Sequence, residues 1–172
     1  EADLILLSLD GDKENHNHIR GNTFDIIMEN IDNATSDNIC LYMAVNKVNQ
    51  NEVRAVGNIA RLHKNIRAIS FNFHTPYKGT EQLKLEKSEK RAVCDEIELM
   101  MKEKYPIFNL KSAFDYIIDN NFQTPCYQCV VVEEGKQYTC GRCIEEENLC
   151  DECGYFFAAE YALVFDGKIK VI

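Results

Sequence analysis

The sequence predicts an α/β fold of three strand–helix units, followed by a small cysteine-rich metal-binding extension. Two observations lead to this prediction. Apolar, strand-like runs alternate three times with amphipathic runs at helical spacing, which is typical of a parallel sheet built from right-handed crossover units. Six of the eight cysteines then fall as three Cys-x-x-Cys pairs between Cys126 and Cys153.

The elements of the three units follow from their apolar patterns. Nearly continuous apolar runs predict strands, the first of them buried on both faces, over residues 3–9, 39–45 and 66–73. Apolar residues at helical spacing predict helices over about 22–33, 53–63 and 86–104. Between the first strand and the first helix we expect a polar loop, in which His16 and His18 are solvated.

We expect two parts of the chain, the strand–helix units in residues 1–105 and the extension in residues 106–172. The patterns of the extension predict a short helix, a β-hairpin, an apolar helix and a last strand, over about 112–121, 130–139, 156–164 and 168–172. Three units are too few to close a barrel, and the sequence opens directly in a strand-like run. Both features indicate that further strands come from elsewhere.

Polar side chains with chemical potential follow each predicted strand. They are Ser8 and Asp10, then Asn46 and Asn49, then Asn72, His74 and Thr75. Because the carboxyl ends of parallel strands meet at one edge, we expect these residues where barrel and open-sheet enzymes place their sites. For Ser8 the plainer alternative is a hydroxyl bonded to the backbone, and Arg20 in the following loop is on sequence alone as well explained by a helix-start or surface position.

The three cysteine pairs predict a metal centre, because two thiolates separated by two residues can turn back onto one metal. The candidate ligands are Cys126, Cys129, Cys140, Cys143, Cys150 and Cys153. Zinc bound by four cysteines and an iron–sulfur cluster both remain open. Disulfides are disfavoured, since disulfide-stapled domains are usually small and secreted. Cys40 and Cys94 lie in apolar contexts and are interpreted as packed thiols.

Charge and hydropathy exclude several classes of protein. The chain of 172 residues has a formal net charge of −9, which argues against nucleic acid as the main partner. No apolar run approaches the roughly 20 residues that a membrane span requires. No export signal is present either, so we expect a cytoplasmic protein.

Three motifs and the tail resemble the radical SAM enzymes. The motifs similar to strands four to six of that family are Leu7-Ser8-Leu9-Asp10-Gly11 with the following Arg20-Gly21, Ala44-Val45-Asn46-Lys47-Val48-Asn49, and Ile69-Ser70-Phe71-Asn72-Phe73-His74-Thr75-Pro76. The cysteine pairs are similar to C-terminal extensions of the same superfamily. The order of the motifs is closest to the branch that includes hopanoid-modifying enzymes.

This resemblance implies the second half of a partial (βα)6 TIM-like barrel with an auxiliary 4Fe–4S cluster on four of the six tail cysteines. In this family an oxygen-sensitive 4Fe–4S cluster cleaves S-adenosylmethionine reductively to a 5′-deoxyadenosyl radical. By resemblance, Ser8 and Arg20 hold the methionine moiety, Asn46 reaches the ribose, and Asn72 and His74 lie near cofactor or substrate. The implied partners are an electron donor and a small-molecule substrate, with a lean toward a lipid.

The sequence departs from the family at one decisive point. The Cys-x-x-x-Cys-x-x-Cys loop that holds the SAM-cleaving cluster has no counterpart in these residues. We therefore expect the chain to be inactive alone, with the first half of the barrel on another segment or another chain. Two alternatives remain, a zinc-binding protein-interaction module without catalysis and an electron-transfer subunit.

Overall fold

A three-stranded parallel sheet forms the centre of the protein. The computed structural model describes residues 3–123, 130–139 and 149–167. The strands stand in the order β1-β2-β3, with β1 at Ile5–Ser8, β2 at Ile39–Val45 and β3 at Ile66–Phe73. The α/β class, the parallel pairing and the bounds of β2 and β3 confirm the sequence predictions. A separate antiparallel hairpin joins β4 (Val130–Glu133) to β5 (Lys136–Thr139), as predicted.

The described ranges contain six α-helices. They are α1 (Lys13–Arg20), α2 (Phe24–Asn33), α3 (Val53–Leu62), α4 (Lys87–Lys102), α5 (Phe114–Asp119) and α6 (Phe156–Phe165). Short 3₁₀ turns lie at Gln50–Glu52, Glu81–Leu83, Lys111–Ala113 and Leu149–Glu152. None of the helices described has the length and apolar character needed to cross a bilayer. The predicted strand over 168–172 falls outside the described residues.

Helix α1 corrects the prediction of a polar loop after the first strand. Its N-terminus is capped by Asp12, whose carboxylate accepts a hydrogen bond of 2.9 Å from the Asn15 amide. The expectation that His16 is solvated is also wrong, because His16 is fully buried. His18 is exposed, as expected. The segment has no apolar periodicity, so only the capping residue signalled a helix.

The two faces of the sheet differ in their covering. On one face the alternate residues of β2 and β3 are buried in the main hydrophobic cluster, together with side chains of α3 and α4. The other face carries rows of residues in register across the strands, Leu6 with Cys40 and Ala68, then Ser8 with Tyr42 and Ser70. This second face is partly open. Leu4 is 50% exposed and Leu6 61% exposed, which corrects the prediction that the first strand is buried on both faces.

The outer edge of β3 is closed by segments that are not strands. Ile69 donates to the Pro106 carbonyl at 2.8 Å and accepts from the Phe108 amide at 2.8 Å. The Asn109 side chain then accepts from the Phe71 amide at 2.7 Å and donates to its carbonyl at 3.0 Å. The opposite edge of the sheet is β1, and no described element pairs with its outer side. Within the part of the chain that is described, the sheet can therefore be extended only next to β1.

Residues of both predicted parts share one hydrophobic cluster. Phe114 and Ile117 of α5, and Phe156 and Leu163 of α6, are buried with the side chains of the sheet. The ring of Phe156 lies 5.1 Å from that of Phe73, centroid to centroid. The segments 106–119 and 156–163 thus pack directly on the strand–helix units.

Asn109 is expected to be a major source of stability. Asn109→Ala leaves the amide and the carbonyl of Phe71 buried without partners, which should cost about 3 kcal/mol of unfolding free energy. Urea unfolding followed by circular dichroism measures this loss. Asn58→Ala is the matched control, since Asn58 is exposed and accepts one bond from the Tyr105 hydroxyl. Equal, small losses for both variants would contradict the role assigned to Asn109.

Candidate functional site

A buried carboxylate organises the carboxyl end of β1. Asp10 is almost fully buried, and its Oδ1 accepts a 3.0 Å hydrogen bond from the Ala44 amide at the end of β2. Its Oδ2 accepts a close hydrogen bond from Nε of Arg20, the last residue of α1. Asp10 thereby fixes the positions of β1, β2 and α1 relative to one another.

His16 completes this arrangement from within α1. Its Nδ1 accepts from the Asp10 amide at 3.2 Å, and its Nε2 lies 3.0 Å from the Thr23 hydroxyl. Because Nδ1 acts as an acceptor, the neutral ring with its proton on Nε2 fits this pattern. Burial lowers the pKa of His16, and the Arg20 charge lowers it further, while the Asp10 charge opposes them. The geometry and the pKa direction agree on an uncharged imidazole.

Two asparagines in the loop after β2, Asn46 and Asn49, connect this loop to the ends of β1 and β2. Asn49 is fully buried and donates to the carbonyls of Asp10 and Ala44 at 3.0 and 3.1 Å. Its Oδ1 accepts from the Asn46 amide at 2.7 Å. The Asn46 side chain accepts from the Val48 amide at 2.8 Å and donates to the Ala44 carbonyl at 3.3 Å. The contact of Asn46 with a ribose, expected from the resemblance, would have to compete with these bonds.

Ser8 and Arg20 border one cavity of about 630 Å³ at the edge of β1. The remaining lining residues are mostly apolar: Leu7 of β1, Ile19 of α1, Thr23 just before α2, and Ile26 and Ile27 of α2. The Nε of Arg20 is held by Asp10, and no hydrogen bond of its terminal nitrogens is found to any described residue. An arginine oriented in this way is suited to bind an anionic group. The structure thus brings together two residues that the sequence proposed as ligands of one moiety.

A second cavity of about 710 Å³ lies on the open face of the sheet. Its walls include Tyr42 and Ser70 at mid-strand and Asn72 near the carboxyl end, with apolar Leu6 and Phe108. Polar side chains also line the cavity near the amino ends of the strands, namely Asp3, Asn38 and Arg67, so polar groups border it at both ends with apolar groups between them. Such a mixture fits a ligand that has both a polar and an apolar portion.

Asn72 and His74 lie at the carboxyl end of β3 in different environments. Asn72 borders the 710 Å³ cavity, and its Oδ1 accepts a 2.9 Å bond from the Phe156 amide at the start of α6. His74 is not among the residues that line the two cavities, and its Nε2 lies 2.9 Å from the Thr80 hydroxyl. Burial lowers the pKa of His74. The structure separates this histidine from the cavity that Asn72 borders.

Gly154, which follows the last cysteine pair, is bonded to the same end of β3. Gly154 accepts from the Phe73 amide at 2.8 Å and donates to the Thr75 hydroxyl at 3.0 Å. A Cβ at position 154 would lie 2.0 Å from the Phe73 carbonyl oxygen, so this contact requires glycine. The residue preceding Gly154 is Cys153, which is therefore fixed beside the carboxyl end of β3.

One of the three cysteine pairs is described, and a main-chain hydrogen bond joins its two residues. The Cys153 amide donates to the Cys150 carbonyl at 3.2 Å, at the end of the 3₁₀ turn Leu149–Glu152. Cys150 is exposed, whereas Cys153, which follows the turn, is buried. Cys126, Cys129, Cys140 and Cys143 lie outside the described residues. Among the residues that are described, no three His, Cys, Asp or Glu side chains form a metal-binding group.

Sequence reasoning found the polar residues of the sheet edge but missed how they are connected. The role of His16 as a partner of the Asp10 amide was missed because the helix that carries it was not predicted. Asn109 was missed too, since its bonds to Phe71 span 38 residues and leave no local pattern. Cys40 and Cys94 are buried and not joined in a disulfide, as the sequence indicated.

Comparisons with protein families, with curated proteins and with solved structures find no match to this chain. The geometry and chemistry of the described residues are therefore the basis for any functional assignment.

His16 is expected to make the stability of the protein depend on pH. The unfolded chain binds a proton near the ordinary pKa of 6.5, whereas the folded chain takes it up only at lower pH. The neutral ring thus contributes fully to the free energy of unfolding above pH 6.5, and this contribution is lost as the pH falls below 6.5. In His16→Asn, which keeps an acceptor for the Asp10 amide, urea unfolding between pH 7.5 and about 5 should show a weaker pH dependence. His18→Asn, at an exposed position, is the control; a dependence equal in all three proteins would contradict this role.

Proposed function

We propose that this chain is the C-terminal half of a radical SAM iron–sulfur enzyme. In this proposal its three strands form one side of an open barrel and its tail carries an auxiliary 4Fe–4S cluster. The observation that supports it best is the asymmetry of the sheet. The edge beyond β3 is closed by main-chain and Asn109 bonds, the edge beyond β1 has no partner in the described ranges, and Cys153 with the following Gly154 lies at the closed end.

The unpaired edge of β1 supports a docking site for the first half of the barrel. A strand edge exposes a row of amide and carbonyl groups that can pair with another strand. Here the exposed Leu4 and Leu6 would supply apolar contact on the open face. A parallel strand added at this edge would continue the polar rim of Ser8 and Asp10. That strand would come from a preceding segment of the same polypeptide or from another chain.

The Ser8–Arg20 cavity supports a carboxylate-binding role in this proposal. Asp10 holds Nε of the guanidinium, which leaves the terminal nitrogens available for a charge-assisted bond to the methionine carboxylate of S-adenosylmethionine. S-adenosylmethionine, once bound to the cluster of the other half, would supply the radical chemistry. The residues of this chain would bind and orient it, and a separate electron donor would be required.

The cavity on the open face supports a substrate with an apolar portion. Leu4, Leu6, Phe108 and Phe157 contribute apolar surface to its border, whereas Ser70 and Asn72 contribute polar atoms. A lipid or another amphipathic small molecule would match this division. The polar end of the substrate would then lie nearest to the carboxyl rim, where the reactive group would be formed.

A second candidate is a zinc-binding module that recognises a protein and catalyses nothing. The β4–β5 hairpin lies between the first two cysteine pairs, an arrangement that occurs in zinc ribbons. Val130 and Val132 are 61% and 69% exposed on this hairpin. Exposed apolar side chains of this kind suit a protein interface.

The metal content separates the two candidates. Purified anaerobically with iron and sulfide, the chain should be brown and hold about four iron and four sulfide ions. Cys153→Ala should lose the iron, whereas Cys94→Ala should retain it, because Cys94 is a buried thiol whose pKa is raised by burial to about 12. Metal analysis and the visible absorption spectrum provide the measurement. A colourless protein with stoichiometric zinc would overturn the iron–sulfur assignment and support the zinc module.

Arg20 is expected to contribute to binding of S-adenosylmethionine. Calorimetric titration should show affinity for Arg20→Gln at least tenfold lower, because the carboxylate loses its charged partner. Arg20→Lys keeps a positive charge next to Asp10, so its affinity should lie between those of wild type and Arg20→Gln. This variant separates the loss of a ligand contact from a loss of folding, because the ion pair with Asp10 can still form. Arg67→Gln, at the amino end of β3, is the control. The same affinity in wild type and Arg20→Gln would remove this assignment.

A further inference from the structure

Lys90 is a buried cation that the proposed radical chemistry does not use. It lies in the first half of α4 and is only 7% exposed. Its Nζ stands 5.6 Å from the centroid of the Phe73 ring, at the carboxyl end of β3. In the described ranges, this ring contact is the one direct interaction found for the ammonium group, with no hydrogen bond or ion pair. A buried charge of this kind is costly unless an anion compensates it.

Four carboxylates line the cavity that Lys90 borders: Glu86, Asp119, Asp151 and Glu152. Two of them, Asp119 and Glu152, are paired with other lysines. Lys84 Nζ lies 2.6 Å from Glu152, and Lys87 Nζ lies 2.6 Å from Asp119. These groups line the same cavity of about 220 Å³ as Lys90. The nearby Cys94 is a neutral thiol, since burial raises its pKa to about 12. Among the described residues, none of the four carboxylates forms an ion pair with Lys90, so neither they nor the Cys94 thiol is a dedicated counter-ion for it.

Cys153 is the remaining group near Lys90 that becomes an anion when it binds a metal. Phe73, which carries the ring beneath the ammonium, holds Gly154 through its main chain at 2.8 Å. Cys153 directly precedes Gly154 and is buried. Burial lowers the pKa of Lys90, and the charge of Lys84 lowers it further, while the nearby charges of Glu152 and Cys153 oppose this shift in part. Lysine and cysteine thus approach the same strand tip from two different elements.

We propose that Lys90 is the buried counter-charge of the Cys150–Cys153 thiolates when the tail holds its metal. The inference rests on the proposed metal centre, but it does not depend on which metal is bound. Four thiolates around Zn²⁺ carry a net charge of −2, and four thiolates on a 4Fe–4S cluster are also anionic. A fixed ammonium in a low-dielectric environment stabilises such a centre. Lys90 acts here as a positioning charge and not as a ligand.

Binding of Co²⁺, which gives a visible thiolate charge-transfer band, provides the test on the whole chain. Lys90→Met has nearly the same length without the charge and should bind Co²⁺ about tenfold more weakly. Lys90→Arg keeps the charge and should restore most of the affinity. Lys87→Met is the matched control on the same helix, because the side chain of Lys87 is 72% exposed and paired with Asp119. Its affinity should stay within about twofold of wild type.

The metal-free proteins give a second reading that a purely structural lysine would not produce. Removal of an uncompensated buried charge should leave Lys90→Met at least as stable to urea as wild type, while its metal affinity falls. If wild type binds Co²⁺, Cys153→Ala does not, and Lys90→Met binds as tightly as wild type, the role of Lys90 is overturned and the metal centre stands. If wild type binds no Co²⁺, the metal centre fails, and this inference fails with it.

Discussion

Hydrogen bonding along the outer edge of β3 is the constraint on which the rest of the arrangement depends. A strand at the end of a sheet leaves amide and carbonyl groups unpaired, and buried groups of this kind need partners. Here residues 106–109 supply those partners over most of the strand, and Gly154 supplies the last. Because Gly154 follows directly after Cys153, satisfying the edge also fixes Cys153 at the tip of β3. The hydrogen bonds that complete the edge of β3 therefore also position Cys153, one of the proposed metal ligands.

The carboxyl rim of the sheet holds two buried charges of opposite sign. Asp10 lies at the β1 end and is compensated by Arg20 and by the Ala44 amide. Lys90 lies at the β3 end, over Phe73, and has no carboxylate of its own in the described ranges. The first charge is part of a satisfied network that rigidifies the rim. The second has no anion paired with it in the described ranges, and we propose that the Cys150 and Cys153 thiolates compensate it when the metal is bound.

The sequence predicted elements whose apolar pattern is local and continuous. The predicted bounds of β2 and β3 were correct, because a continuous apolar run in the sequence marks the length and the buried face of each strand. Helix α1 was missed because its stability comes from the Asp12 cap and from contacts of His16 with Asp10 and Thr23, not from an apolar stripe. The candidate rim was predicted because strand ends meet in a parallel sheet, but its bonding was not, since it links residues far apart in sequence.

The exposure of β1 shows the limit of pattern reasoning and also bears on the architecture. An apolar run predicts that a strand is buried, but it does not identify the segment that packs against the strand. The open face carries Ser8, Tyr42 and Ser70 in one row across the three strands, and from the described helices only Phe157 borders the cavity there. In a doubly wound sheet this face would be packed against helices and would be apolar. In the proposed barrel, whose other strands are added at β1, this face with its row of hydroxyl groups would line the internal space.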